Sequence, residues 1–282
     1  MKAPDERFTL TGADGAPIRG DVYLPDVDRP PLVLVLHGFK GFKDWGFFPW
    51  LGRALANEGL AAACVNFSHC GVAENFNTFE RLDLFEADTW SKRLYDIQQV
   101  IDAAQHGLLA NKAQPNPARL GLLGHSMGGG VAVLAAAKDA RVRSVVTLAG
   151  VAHPNRIPED IARLQLEALG HVAVENVRTR QVMRIGCAFF DELWANPRAF
   201  DIKAAARAVR VPWLLIHGAD DETVPLSEAQ ELLEAAADSE HVRMLTLEGT
   251  GHTFGAGHPF AGPTPELERA VSAAAAHFKR TL

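Results

Sequence analysis

Cysteine is scarce in this chain, and so is serine. The 282 residues include three cysteines, Cys64, Cys70 and Cys187. So sparse and odd a set excludes a disulfide framework, and no pair has the CxxC spacing of a structural zinc site. No apolar run approaches the roughly 20 residues needed to span a bilayer, so no membrane partner is expected. The N-terminal stretch MKAPDERFTL is charged and lacks the apolar core of a signal peptide. These absences lead to the expectation of a reduced, cytoplasmic protein. Positive charge is not in excess either. Lys and Arg number 28 against 34 Asp and Glu, a formal net charge of −6, which argues against a general nucleic-acid or anionic-membrane surface. No histidine–carboxylate cluster has metal-ligand spacing, so neither a metal nor another cofactor is expected.

What is present is the mixture of a globular protein. Apolar residues make up 48% of the chain, enough to bury a large core and to exclude disorder as the dominant state. Phe8–Thr11, a turn at Gly12–Gly15 and Ile18–Leu24 read as a hairpin. Continuous apolar runs follow at Leu32–Leu36, Ala61–Phe67, Arg119–Leu123, Val142–Leu148, Val211–Ile216 and Val242–Leu247. Such runs between breakers suit buried parallel strands. Helical patterns lie between them. Trp90, Leu94, Ile97 and Ile101 share one helix face, Val131–Ala137 is dense in small apolar residues, and Leu226–Leu233 and Leu267–Phe278 carry the same period. Strands alternating with helices predict an α/β fold, a mostly parallel central sheet with helices on both faces.

One stretch breaks the rhythm. Between the strand at Leu148 and the one at Val211 lie about sixty residues without a buried strand. They contain a charged helical stretch (Glu159–Leu169), an amphipathic hairpin pattern (Val172–Ile185) and the aromatics Phe189, Phe190 and Trp194. We read 151–208 as a lid inserted in a single domain spanning 1–282; a pair of crossover helices is the alternative.

The seven serines now matter. Gly124-His125-Ser126-Met127-Gly128 fits G-x-S-x-G, a pattern expected about 0.05 times by chance with seven serines and 24 glycines. It follows an apolar run and leads into a helical stretch, the strand–turn–helix setting of a nucleophile elbow. A serine needs a base to take its proton, and that base needs an orienting acid. Both should follow the serine, at strand ends. His252, on the Gly-rich loop just after the last strand, is the candidate base, with His258 on the same loop as the alternative. His217 reads as structural. Asp220, Asp221 and Glu222 crowd the turn after Val211–Ile216 as candidate acids. Two backbone N–H donors should form an oxyanion hole: one from Met127, after the serine, and one from Phe39, in the loop His37-Gly38-Phe39-Lys40.

These elements resemble those of α/β-hydrolases over nearly the whole chain: the His37-Gly38 loop, the Gly124–Gly128 elbow, the HGxxDxxVP stretch at 217–225 and Gly251-His252. The chain is most similar to bacterial dienelactone-hydrolase-like and serine-aminopeptidase-like proteins and to feruloyl/cinnamoyl-type esterases. The resemblance places the acid at Asp221, four residues after His217. It implies a serine hydrolase of carboxylic esters with Ser126, Asp221 and His252 as catalytic triad and a small-molecule ester as substrate. Dienelactone hydrolases proper use a cysteine at the elbow, where this chain has Ser126. Peptidase, thioesterase or acyltransferase activity on the same triad is the alternative, and a non-catalytic binding protein on this fold the next. For substrate contacts we expect Phe189, Phe190, Trp194 and Val224. Lys40 and Lys43 could meet an anionic substrate, and His69 and Cys70 could add polar groups to a pocket.

Overall fold

The apolar runs pair into one eight-stranded sheet. A computed structural model describes residues 2–75, 78–237 and 239–282. In chain order the strands are β1 (Glu6–Thr11), β2 (Pro17–Tyr23), β3 (Pro31–Leu36), β4 (Ala61–Asn66), β5 (Asn116–His125), β6 (Val142–Leu148), the hairpin β7 (His171–Asn176) and β8 (Gln181–Gly186), β9 (Trp213–Gly218) and β10 (Val242–Leu247). Their spatial order is β1-β2-β4-β3-β5-β6-β9-β10, with β7 and β8 forming a separate two-stranded sheet. β1 and β2 are antiparallel to each other, and β2 to β4; every other pairing in the large sheet is parallel. The helices are α1 (Phe48–Asn57), α2 (Leu82–Glu86), α3 (Trp90–Gln105), α4 (Met127–Ala136), α5 (Glu159–Leu169), α6 (Cys187–Ala195), α7 (Ile202–Ala208), α8 (Leu226–Ala235) and α9 (Pro265–Thr281).

The period of two along each strand sends alternate side chains to opposite faces. On β3, Leu32, Leu34 and Leu36 join the core under α3, α4 and α8. Val33 and Val35 join the core under α1 and α9. Burial on both faces is why these strands read as unbroken apolar runs. Helix starts carry their own signals. The Thr89 hydroxyl accepts from Lys92 N–H at 3.3 Å before α3, and the Thr264 hydroxyl accepts from Leu267 N–H at 3.1 Å before α9. β5 runs two residues further than its apolar run, so Gly124 and His125 are still strand. β9 starts two residues later than expected: Pro212, just before it, has no N–H for the ladder.

The expected insertion holds α5, β7, β8, α6 and α7. Within it, α7 packs against α4 and α8. The hairpin is fastened to the segment before α2: Phe79 N–H donates to Gln181 Oε1 at 3.0 Å and Gln181 Nε2 donates to Phe79 O at 2.9 Å. Lys40 Nζ donates to Glu175 O at 3.1 Å, which ties the hairpin to the loop after β3. No helix among the described residues is long and apolar enough to cross a membrane.

Candidate active site

The loops after β3, β5, β9 and β10 leave the same edge of the sheet, the carboxyl end of its parallel strands. This is where open α/β sheets place their sites. The sharpest turn joins β5 to α4. Ser126 sits there at φ 57°, ψ −123°, a conformation that costs a non-glycine residue about 1–3 kcal/mol. The strain is held by the sheet: Ser126 N–H donates to Leu148 O at 2.9 Å, and Ser126 O accepts from Gly129 N–H at 2.9 Å. The motif glycines are required by close backbone approach. A Cβ on Gly124 would stand 2.1 Å from Gly128 O, and one on Gly128 2.4 Å from Leu36 O. A Cβ on Gly38 would stand 2.8 Å from Ser126 Cβ, so the loop after β3 lies directly against the serine. Met127 opens α4, where the first N–H groups have no partner within the helix. Among the described residues no backbone carbonyl accepts from the N–H of Met127 or Phe39. Two free donors beside a serine can hold an oxyanion.

His252 and Asp221 meet on the far side of the serine. His252 Nδ1 lies 2.8 Å from Asp221 Oδ2. The other carboxylate oxygen, Oδ1, accepts from the N–H groups of Thr223 at 2.9 Å and Val224 at 2.8 Å. Asp220, by contrast, is exposed and engages Thr250 O through its backbone N–H. Burial of Asp221 raises its pKa, but hydrogen bonds from His217 and His252 and from Val224 N–H outweigh it and hold the carboxyl below the usual range. His217 Nε2 is 3.4 Å from Asp221 Oδ2 and donates to Val224 O at 2.8 Å, so it braces the acid's loop. His258, the alternative base, accepts from Gly46 N–H at 2.9 Å and stacks on Trp45. Ser126 and His252 face one cavity. Among the described residues no hydrogen bond joins their side chains, a looseness common in ligand-free sites.

One contributor escaped the sequence reading. His125, the variable residue before the serine, is buried, and its Nε2 donates to His252 O at 2.9 Å. The two rings lie 4.7 Å apart. Because a carbonyl only accepts, the His125 proton sits on Nε2. Burial, then the neighbouring His252, push its pKa down to about 3, so it stays a neutral donor. His252 is thus held by its ring through Asp221 and by its backbone through His125.

Two cavities meet at Ser126. The first, about 110 Å³, is walled chiefly by Phe39, Trp90, Met127, Val151, Ile185 and Phe189. The second, about 260 Å³, is lined by His252, His125, Trp45, Lys40 and the hairpin tip, Asn176, Val177 and Arg178. Of the expected substrate contacts, Phe189 lies in the first wall. Phe190 is fully buried between Phe189 and Trp194, with ring centroids at 5.2 and 5.7 Å. Trp194 lies 4.1 Å from the Arg163 guanidinium. Neither lines a cavity at Ser126. The Val224 side chain is buried, and only its backbone serves Asp221. Lys43 is also away from the site: it is buried and paired with Asp21 at 2.7 Å and Asp44 at 2.8 Å. His69 is buried against the Ser68 hydroxyl at 2.8 Å, and Cys70 is buried. Among the described residues no group of three metal-ligating side chains could hold an ion.

Comparisons with known proteins agree with this architecture. Thiohydrolase aneE of Aspergillus aculeatus is 23% identical over 192 residues, covering 67% of this chain and 56% of that protein. The esterase domain of a Rhodothermus marinus protein superposes with a TM-score of 0.65 at 19% identity, over 99% of each chain. A puromycin-hydrolysing peptidase of Mycobacterium tuberculosis gives 0.66 at 21% identity, over 98% of this chain and 39% of that one. At such identities the structural likeness is one of fold. The sequence profile described as the Alpha/beta hydrolase family matches residues 32–262. The strained serine between β5 and α4, on a mostly parallel sheet matched over most of its length, makes this chain a member of the alpha/beta hydrolase family.

Proposed function

We propose that the protein is a serine hydrolase that cleaves carboxylic esters through an acyl-enzyme. The observation that carries this is that Ser126 and His252 line one cavity, with the buried Asp221 behind His252 Nδ1 at 2.8 Å and the serine on a strained turn beside two free N–H groups. Asp221 accepts the Nδ1 proton of His252, which leaves Nε2 with a lone pair. Nε2 takes the Ser126 proton as Oγ attacks the ester carbonyl. The N–H groups of Phe39 and Met127 stabilise the oxyanion, helped by the positive N-terminal end of α4. His252 then gives its proton to the leaving alkoxide. Water repeats the sequence against the acyl-enzyme. No metal or cofactor is needed for these steps. In this reading the insertion at 151–208 is a lid, because its hairpin tip and α6 each supply a cavity wall.

Thioester or amide cleavage is the second reading. The named relatives act on such varied bonds, and a triad alone does not choose the leaving group. A panel of aryl esters, thioesters and aminoacyl amides separates them. The nucleophile is tested by Ser126→Ala, which should lower turnover of a short aryl ester by about 10⁴-fold or more while the protein stays folded. Turnover retained in that variant would refute the assignment.

A further inference from the structure

The two cavities at Ser126 differ in chemistry, and the direction of proton transfer says which part of the substrate enters each. This argument rests on the acyl-enzyme reading above. His252 must hand its proton to the departing oxygen, so the leaving group lies in the cavity that His252 lines. The acyl chain takes the other. The acyl side is small, at about 110 Å³, and mostly apolar; the arginine in its lining, Arg156, is already paired with Glu228 and Thr223 O. A cavity of roughly 150 Å³ is enough for benzene, so a short aliphatic acyl group fits best.

The leaving-group side is cationic. Lys40 and Arg178 both line it, and among its described lining residues there is no carboxylate side chain. Lys40 lends one ammonium proton to Glu175 O at 3.1 Å, and an ammonium has three to give. Arg178 lines the same cavity, with its guanidinium 5.6 Å from the buried Phe42 ring. Both cations are half-buried, so solvent screens them incompletely. We infer that the protein selects esters whose leaving alcohol carries an anionic group, a carboxylate in the simplest case, and that Lys40 and Arg178 are the residues that select it.

The test compares two acetyl esters of nearly equal shape, 3-acetoxybenzoate and 3-acetoxybenzamide. At low ionic strength the wild type should favour the carboxylate in kcat/KM by about tenfold, the scale of one charge-assisted hydrogen bond. The ratio should shrink as salt rises. In Lys40→Met/Arg178→Met it should fall towards one, and Lys40→Arg and Arg178→Lys should each retain most of it. Lys138→Met, remote from the site, controls for net charge and should leave the ratio unchanged. If the double variant does not fold, each single substitution should lower the ratio. A wild-type ratio of one or less, or a ratio unmoved by removing the cations, overturns this inference while leaving the triad intact. Absence of turnover on both esters, or turnover surviving in Ser126→Ala, overturns the reading beneath it.

Discussion

Replacing Asp221 by Asn tests the triad with almost no change of shape. In the native site Oδ1 accepts from two backbone N–H groups, and Oδ2 faces His252 Nδ1 at 2.8 Å. An asparagine can keep only one of these faces. Turning its NH₂ towards Thr223 and Val224 would set donors against two backbone N–H donors, one of them buried, so the carbonyl keeps that side. The NH₂ group then points at His252 Nδ1, which must become an acceptor. The imidazole proton moves to Nε2, and the ring can no longer take a proton from Ser126. Loss of the correct tautomer is worth about 10⁴ in kcat, or about 5.5 kcal/mol of transition-state stabilisation. The folding cost should be smaller, about 1–3 kcal/mol for the altered buried hydrogen bonds. Stopped assays with a chromogenic ester, alongside urea unfolding, separate the two effects. Activity within tenfold of wild type in a folded Asp221→Asn protein would refute the tautomer argument.

Gly124→Ala should destabilise the fold by ~3 kcal/mol or more, because its Cβ would meet Gly128 O at 2.1 Å and both atoms belong to fixed backbone. Gly257→Ala, where a Cβ meets nothing within 4 Å, should leave the unfolding midpoint nearly unchanged; equal effects would remove the steric account. Burial pushes His37 and His125 down to about 3, and His69 and His277 to about 4. Their unfolded forms take protons near pH 6.5. The stability they confer is therefore complete above that pH and is lost as pH falls towards 3, by about 1.4 kcal/mol per pH unit for each histidine titrating only in the unfolded chain. Urea midpoints measured from pH 7 to pH 4 should show this decline, and His125→Gln should make it shallower by one histidine's share.

The central strands, such as β3 and β4, were legible because burial on both faces leaves no polar alternation to misread. The elbow was legible because close backbone approach demands glycine at 124 and 128, and only one of seven serines stands in such a frame. The substrate walls were harder to read. Phe189, Phe190 and Trp194 are equally apolar, and hydrophobicity reports burial without saying in which direction a ring faces. The hairpin pattern at 172–185 was readable, but not that its tip would bring Asn176 and Arg178 over the site: that depends on which part of the sheet the insertion folds across. His125 offered no pattern at all. Its task is a bond to a backbone carbonyl 127 positions away, and no local spacing encodes that.

The four loops that meet at Ser126 follow β3, β5, β9 and β10, so the residues that must cooperate come from both ends of the chain. Each loop is placed only after its own strand has docked, and the closure of such distant segments is the slow part of folding. The five adjoining strands β3-β5-β6-β9-β10 must all be in register before the four loops can meet. Recovery of catalytic activity during refolding would therefore serve as a clock for the last step of sheet assembly, running behind the return of helical signal from α3 and α9.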